Sequence, residues 1–339
     1  MEQCRYDFFV GTYTDNTGSA GIYRIRLDAS GRVKSAELAV TARNPSYLCT
    51  EGDMLYAVNE YENGGTVVGY RIEEQKCGKL WTTELDSAGI CHAFYSPVHD
   101  FILLSSYLGG DYYCIRASDG CVLSHILHEH RDDIRSHAHC AVTDRSGRFI
   151  LCADLGQDTV TAYAIADGRP SAVPSFLFDC KKGSGPRQLV FHPRADLLFV
   201  ANELDSSVSS FKYNPSLGEL DLLQNVPASD AGIPGENFPA GITATSDGRM
   251  LYVSNRGADT IAAFNVLPSG LIIKAGESSC GGEFPRHIML TADDRFLVIS
   301  NQRSGRIVVC PVDHESGSIG SPTASVDIPA PSCTVEYNK

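Results

Sequence analysis

No stretch of this 339-residue sequence sustains a 3.6-residue apolar period over three turns, so helices have little to be built from. Nor is there a run of about 18 apolar residues, which excludes a membrane-spanning helix. The opening MEQCRYDFFVGTY has neither the basic start nor the apolar stretch of a secretory signal, and a cytoplasmic location is expected. Cationic side chains are scarce: 28 Lys and Arg stand against 41 Asp and Glu, for a formal charge of −13. Nonspecific binding to nucleic acid or to an anionic membrane rests on clustered Lys and Arg, so neither partner is expected. Any anionic ligand must therefore be held by local positive groups. Twelve cysteines are present but no CxxC pair, and several (Cys140, Cys152, Cys310) lie inside apolar strand patterns. They read as reduced, buried small hydrophobes, with no zinc site. A GxSxG elbow, a Walker loop and a dinucleotide glycine pattern are all missing, which argues against covalent serine catalysis and nucleotide cofactors. No Pro/Gly/Ser-rich linker divides the chain, and nothing in it specifies an oligomeric state.

What the sequence has instead is repetition. The segments starting at Gly185, Phe238 and Phe284 are copies of one unit, and more worn copies start at Asn44, Gly89 and Ser136. Each reads as an apolar strand, a polar turn, a second apolar strand ending in an Asn-like residue, another turn and a third alternating strand. The Asn-like position falls at Asn59, Ser106, Asp154, Asn202, Asn255 and Asn301, with gaps of 47, 48, 48, 53 and 46 residues. At about 48 residues per unit, seven units of four short strands consume the chain. Four-stranded units arranged radially form a β-propeller, so residues 1–339 are expected to be a single all-β, seven-bladed domain. PSCTVEY at Pro331 to Tyr337 resembles the first strand of a unit, and FFVGTY and GIYRIRL resemble later ones. The two chain ends are therefore expected to share one blade, which a solenoid with polar caps would not require.

The first strand of each blade lines the central channel, so equivalent residues form rings. Aligning strand starts predicts one ring of Ser46, Cys91, Ala138, Arg187, Ala240, Arg286 and Ser332. The next is Tyr47, His92, His139, Gln188, Gly241, His287 and Cys333. A crown after the Asn-like position holds Glu60, Tyr107, Leu155, Glu203, Arg256 and Gln302. Each member has an ordinary structural alternative. Arg187 and Arg286, each after a proline, are placed to bridge to a neighbouring blade, and His92, His139 and His287 to bond to backbone in the core. His192, near a turn, reads as a packing residue. Repeated Asn, including Asn255, serves turns through side-chain bonds to backbone. Yet three arginines, three histidines and a glutamate converge on one axis. Guanidinium forks match carboxylate or phosphate, and burying several cations together is costly unless an anion compensates. With a histidine and a glutamate to move protons, the set fits attack of water on an ester or lactone and needs no cofactor.

VGTYTDNTGSAGIYRIRLD, SHAHCAVTDRSGRFILCADLGQD, GPRQLVFHP, VANELDSSV, YVSNRGADTIAAF and FPRHIMLTADDRFLVISNQ together resemble the seven-bladed lactonase family, over essentially the whole chain. That family includes propeller-type 6-phosphogluconolactonases and carboxy-cis,cis-muconate cyclases. The resemblance implies a catalytic group made of the second histidine of HAH, the arginine of GPR, the glutamate of NEL and the arginine of NRG. Here these are His139, Arg187, Glu203 and Arg256. Gln188 stands where the family commonly has histidine after GPR, and Ser106-Tyr107 where it has NY; both departures bear on the substrate. The expected activity is hydrolysis of a phosphosugar lactone, with Arg286 gripping phosphate and His287, His92 and Asn255 nearby. A carboxymuconate-type reaction and a non-catalytic metabolite-binding propeller are the rival expectations.

Overall fold

The structure is a computed structural model that describes residues 4–74, 76–128, 134–230 and 236–338. Its strands form seven antiparallel sheets. The first blade is composite: Pro331–Glu336 is its innermost strand, followed outward by Tyr6–Thr12, Gly21–Leu27 and Val33–Thr41. Phe8 pairs with Glu336 and Val10 with Thr334, so the chain ends close the ring by backbone hydrogen bonds, as the end fragments predict. The innermost strands of the second to seventh blades are Pro45–Glu51, Ile90–Ser96, Ala138–Thr143, Pro186–Phe191, Phe238–Ala244 and Pro285–Leu290. Each touches its two neighbours around the axis. The fourth blade departs from four strands, because Arg169–Pro170 and Phe176–Asp179 both pair with Thr159–Ala166.

The alternation that marks these strands also builds the core. Side chains on one face of a blade pack against the next blade, giving seven apolar seams, such as Leu151, Val200 and Phe211 between the fourth and fifth blades. Cys333, Leu48 and Phe9 close the corresponding seam between the first and second. The hydrophobic stabilisation is thus spread around the ring, and the axis itself is left to polar side chains. All twelve cysteines are free, with Cys114 buried and Cys121 exposed on the same hairpin.

One register differs from the sequence alignment, and its cause is a β-bulge. In the second blade Pro45 pairs with Asn59 and Tyr47 with Val58, so Ser46 is extra. The same skip occurs at Cys91, Arg187, Arg286 and Ser332. In the fourth blade Ala138 pairs with Asp154 and Cys140 with Ala153, so the skipped residue is His139. His139, not Ala138, therefore belongs with Arg187 and Arg286, and Cys140 takes the place in the next ring assigned to His139. A bulge re-aims the extra side chain, which is why such positions recur beside active sites.

Candidate active site

Three guanidiniums and one carboxylate organise the axis. Arg187, on its bulge, and Arg256, at the end of Met250–Arg256, are each only 5% exposed. Both meet the same atom of Glu203: Arg187 Nε lies 2.9 Å and Arg256 Nη2 2.5 Å from Glu203 Oε2. Among the described residues neither nitrogen has an in-line hydrogen-bond partner, and the carboxylate holds the two cations chiefly by charge. One further donor nitrogen of each fixes its stem: Arg187 Nη1 donates to the Ala240 carbonyl at 2.9 Å and Arg256 Nε to the Phe238 carbonyl at 3.1 Å. The Arg256 guanidinium also lies over the Phe284 ring, 5.2 Å from its centroid.

Arg286 completes the cationic set from the seventh blade. Its Nη2 donates to Tyr13 Oη at 2.8 Å, and Tyr13 in turn donates to Glu60 Oε2 at 2.7 Å. Tyr13 follows Thr12 as Glu60 follows Asn59, so it is the crown residue of the composite blade. Sequence reasoning missed it because Thr12 stands in the Asn-like position; the available signal was GTYT ending the strand that pairs with the C-terminus. Tyr107, of the third-blade crown, stacks on His137 with centroids 4.4 Å apart and meets His139 edge-on at 5.8 Å.

Charge and burial set the protonation states. Glu203 is pulled two ways: burial raises its pKa, but the Arg256 and Arg187 charges prevail and hold it below the usual glutamate range. Burial pushes Arg256 down to about 9, and the neighbouring Arg187 charge adds to this, while Glu203 opposes it. Burial, then Arg187 and Arg286, hold His139 neutral with a pKa well below the ordinary histidine value. His139 Nδ1 is buried and has no hydrogen-bond partner among the described residues. At neutral pH the pocket thus presents fixed cations, an ionised carboxylate and a neutral imidazole.

The other sequence candidates lie elsewhere. His92 and His287 sit one position further along their strands than the bulges and flank Tyr47, at centroid distances of 4.6 and 5.7 Å. Gln188 Nε2 donates to Tyr47 Oη at 3.2 Å. These four side chains, with Leu48, Phe94, Leu189 and Phe191, line a cavity of about 570 Å³ that opens along the later part of the inner strands. Asn255 is not in the pocket: it is fully buried, and its amide donates to the Ala228 carbonyl at 3.1 Å, which corrects its expected role in binding substrate. His192 is a turn residue, its Nδ1 accepting from the Arg194 and Ala195 backbone N–H groups.

These neutral imidazoles have a measurable consequence. Burial, with the Arg187 charge, lowers His92 and His287 to about 3 and His139 well below 6.5. The unfolded chain binds protons near pH 6.5 that the native state refuses, so stability is full above 6.5 and falls as pH drops. For three such groups, about 3 kcal/mol should be lost between pH 6.5 and 5.5, above the carboxylate range. Urea unfolding at the two pH values measures it, and equal midpoints would show that the imidazoles are not held neutral.

Residues 7–336 match the family model described as "Lactonase, 7-bladed beta-propeller". The chain belongs to the seven-bladed lactonase family. It is 30% identical to the 6-phosphogluconolactonase of Bacillus subtilis (strain 168), with 97% of each chain covered. Among solved structures it is similar to a Lactobacillus plantarum protein at 28% identity and a TM-score of 0.90, covering 98% of this chain and 99% of that one. It is also similar to the periplasmic gluconolactonase of Pseudomonas aeruginosa, at 26% identity and a TM-score of 0.88 with the same coverage. The family includes lactone hydrolases. In this chain Arg187 and Arg256 both meet Glu203, and their charges act on His139.

Proposed function

We propose that this lactonase-family propeller hydrolyses 6-phospho-D-glucono-1,5-lactone to 6-phosphogluconate. The observation that carries the reading is Glu203 clamped between two buried guanidiniums whose charges also act on a neutral His139, its Nδ1 without a hydrogen-bond partner among the described residues. Ring opening puts negative charge first on the carbonyl oxygen and then on the ring oxygen. Arg187 and Arg256, pinned by backbone carbonyls, are preorganised to stabilise that oxyanion in a water-poor site. A neutral imidazole is the form that accepts a proton, so His139 takes one from the attacking water and returns it to the ring oxygen as the C–O bond breaks. Glu203, ionised and doubly ion-paired, keeps the cations apart and aimed. An anionic substrate entering the pocket raises the affinity of His139 for that proton.

Arg286 decides the substrate class. It is held on one side by Tyr13, and its guanidinium is the group placed to meet a second anion, the phosphate of the substrate. A charge-assisted contact of this kind is worth about 1.5–3 kcal/mol, roughly 10- to 150-fold in kcat/KM if made in the transition state. The test compares phosphorylated and unphosphorylated gluconolactone with wild type and Arg286→Ala, corrected for spontaneous opening. The phosphorylated lactone should be preferred, and the variant should lose most of that preference while hydrolysing the neutral lactone nearly as before. Equal preference in both proteins would remove Arg286 from the phosphate site. No preference in wild type would favour an unphosphorylated sugar lactone, the substrate named for the Pseudomonas relative, and turnover of carboxymuconate alone would favour cyclase-type chemistry.

A further inference from the structure

Ten non-glycine residues among those described have positive φ, and nine of them are Asn, Asp, Ser or Ala. The tenth is Phe284, at φ 62. A left-handed backbone suits glycine and tolerates Asn and Asp, but for a bulky side chain it is a strained outlier, and such strain gathers at functional sites. The residue that follows, Pro285, disfavours helical conformations at this position further.

The fifth blade provides an internal comparison. Gly185 occupies the equivalent place, also before a proline, at φ 61. Its N–H donates to Asp158 Oδ1 at 2.7 Å and its carbonyl accepts from the Glu203 N–H at 2.7 Å. Phe284 makes the same bonds, to Asp259 Oδ1 at 2.7 Å and from the Gln302 N–H at 3.0 Å. The backbone is therefore the same, and only the side chain differs. In the fifth blade Leu204 lies against the bare glycine, where an added Cβ would meet its Cγ at 2.5 Å; in the third, Leu108 covers Gly89 in the same way, at 2.9 Å. In the seventh blade the pair is exchanged for Phe284 and Arg303, whose guanidinium is 4.0 Å from the ring centroid. Covering the turn explains that exchange but not the strain, since a glycine and a leucine cover it without any. What the glycine–leucine pair cannot supply is the second contact, to Arg256 of the preceding blade.

We propose that Phe284 is a positioning residue of the axial pocket: its ring braces the Arg256 guanidinium against Glu203, and the strained phenylalanine is kept for that contact. Arg256 has its Nε on the Phe238 carbonyl and its Nη2 at Glu203, and the half-buried Phe284 ring supplies the remaining constraint. A ring that fixes a cation aimed at developing charge acts on kcat more than on KM.

The inference rests on the lactonase reading of the pocket, and its test separates the two. Phe284→Gly combined with Arg303→Leu rebuilds the pair found in the third and fifth blades, so the turn stays covered and the strain is released. This variant should melt at or above the wild-type temperature while kcat falls roughly 3- to 30-fold, the range for one cation–π contact. Phe284→Tyr, which keeps the ring and the backbone, should stay within about twofold of wild type. In an Arg256→Ala background the glycine–leucine pair should cause no further loss, since the ring acts through that guanidinium. Wild-type kcat in the glycine–leucine variant, an undiminished loss without Arg256, or a loss shared by Phe284→Tyr would each overturn the proposal. Calorimetric titration with 6-phosphogluconate gives a readout independent of turnover: the glycine–leucine variant should bind it more weakly, and only when Arg256 is present. If wild type opens no lactone, the functional reading fails and this titration alone decides the role of Phe284. If wild type also fails to bind 6-phosphogluconate, both are overturned.

Discussion

Arg256→Ala should lower kcat/KM for 6-phosphogluconolactone by roughly 10²- to 10³-fold, the scale for losing one preorganised oxyanion donor. Arg256 is 5% exposed and its guanidinium is anchored on a backbone carbonyl, so it needs little reorganisation as charge develops. The alanine variant leaves Glu203 still paired with Arg187, and no carboxylate is stranded. The loss should therefore appear mainly in kcat, with a modest change in melting temperature. Steady-state kinetics beside a thermal melt measures both, and a variant with wild-type turnover would remove Arg256 from the reacting end of the pocket.

Glu203→Gln should affect stability and turnover together. Glutamine keeps the shape but removes the charge that two buried guanidiniums share. Breaking a buried ion pair from one side costs on the order of 3–5 kcal/mol, because the partner charge stays buried without compensation. Turnover should fall, since the cations are no longer held apart, while an anion should bind more tightly because it now supplies the missing charge. Added inorganic phosphate should therefore raise the melting temperature of the variant more than that of the wild type. Equal phosphate effects in the two proteins would mean that Glu203 does not neutralise the pair.

The ring, its blade count and the shared first blade were readable because a period of about 48 residues and alternating strands leave a pattern at every position. His139, Arg187, Glu203 and Arg256 stood out in the sequence for the same reason, since each lies at a fixed offset from a strand end. What the alignment misplaced has local causes. The slip between Ala138 and His139 arises from a bulge, and an extra residue in a strand leaves no compositional mark in SHAHCAV. Asn255 looked available because repeated Asn sits beside the pocket, but its amide is spent on the Ala228 carbonyl. His92 and His287 stand one residue past the bulge positions, and that single step puts them with Tyr47 and Gln188 in the cavity along the later part of the inner strands. Tyr13 was hidden by Thr12 in the Asn-like position. The strain at Phe284 belongs to a backbone angle, which the letters of the sequence do not carry.

The central claim is that the cationic axial pocket opens a phosphorylated sugar lactone, and proton release on hydrolysis tests it most directly. Freshly prepared 6-phosphoglucono-1,5-lactone is added to enzyme in a pH-stat, with Arg256→Ala and buffer alone run in parallel. The account predicts acid release far above the spontaneous rate with wild type and roughly 10²-fold or more slower release with the variant. Release at the spontaneous rate with wild type, or at equal rates with wild type and Arg256→Ala, would contradict it.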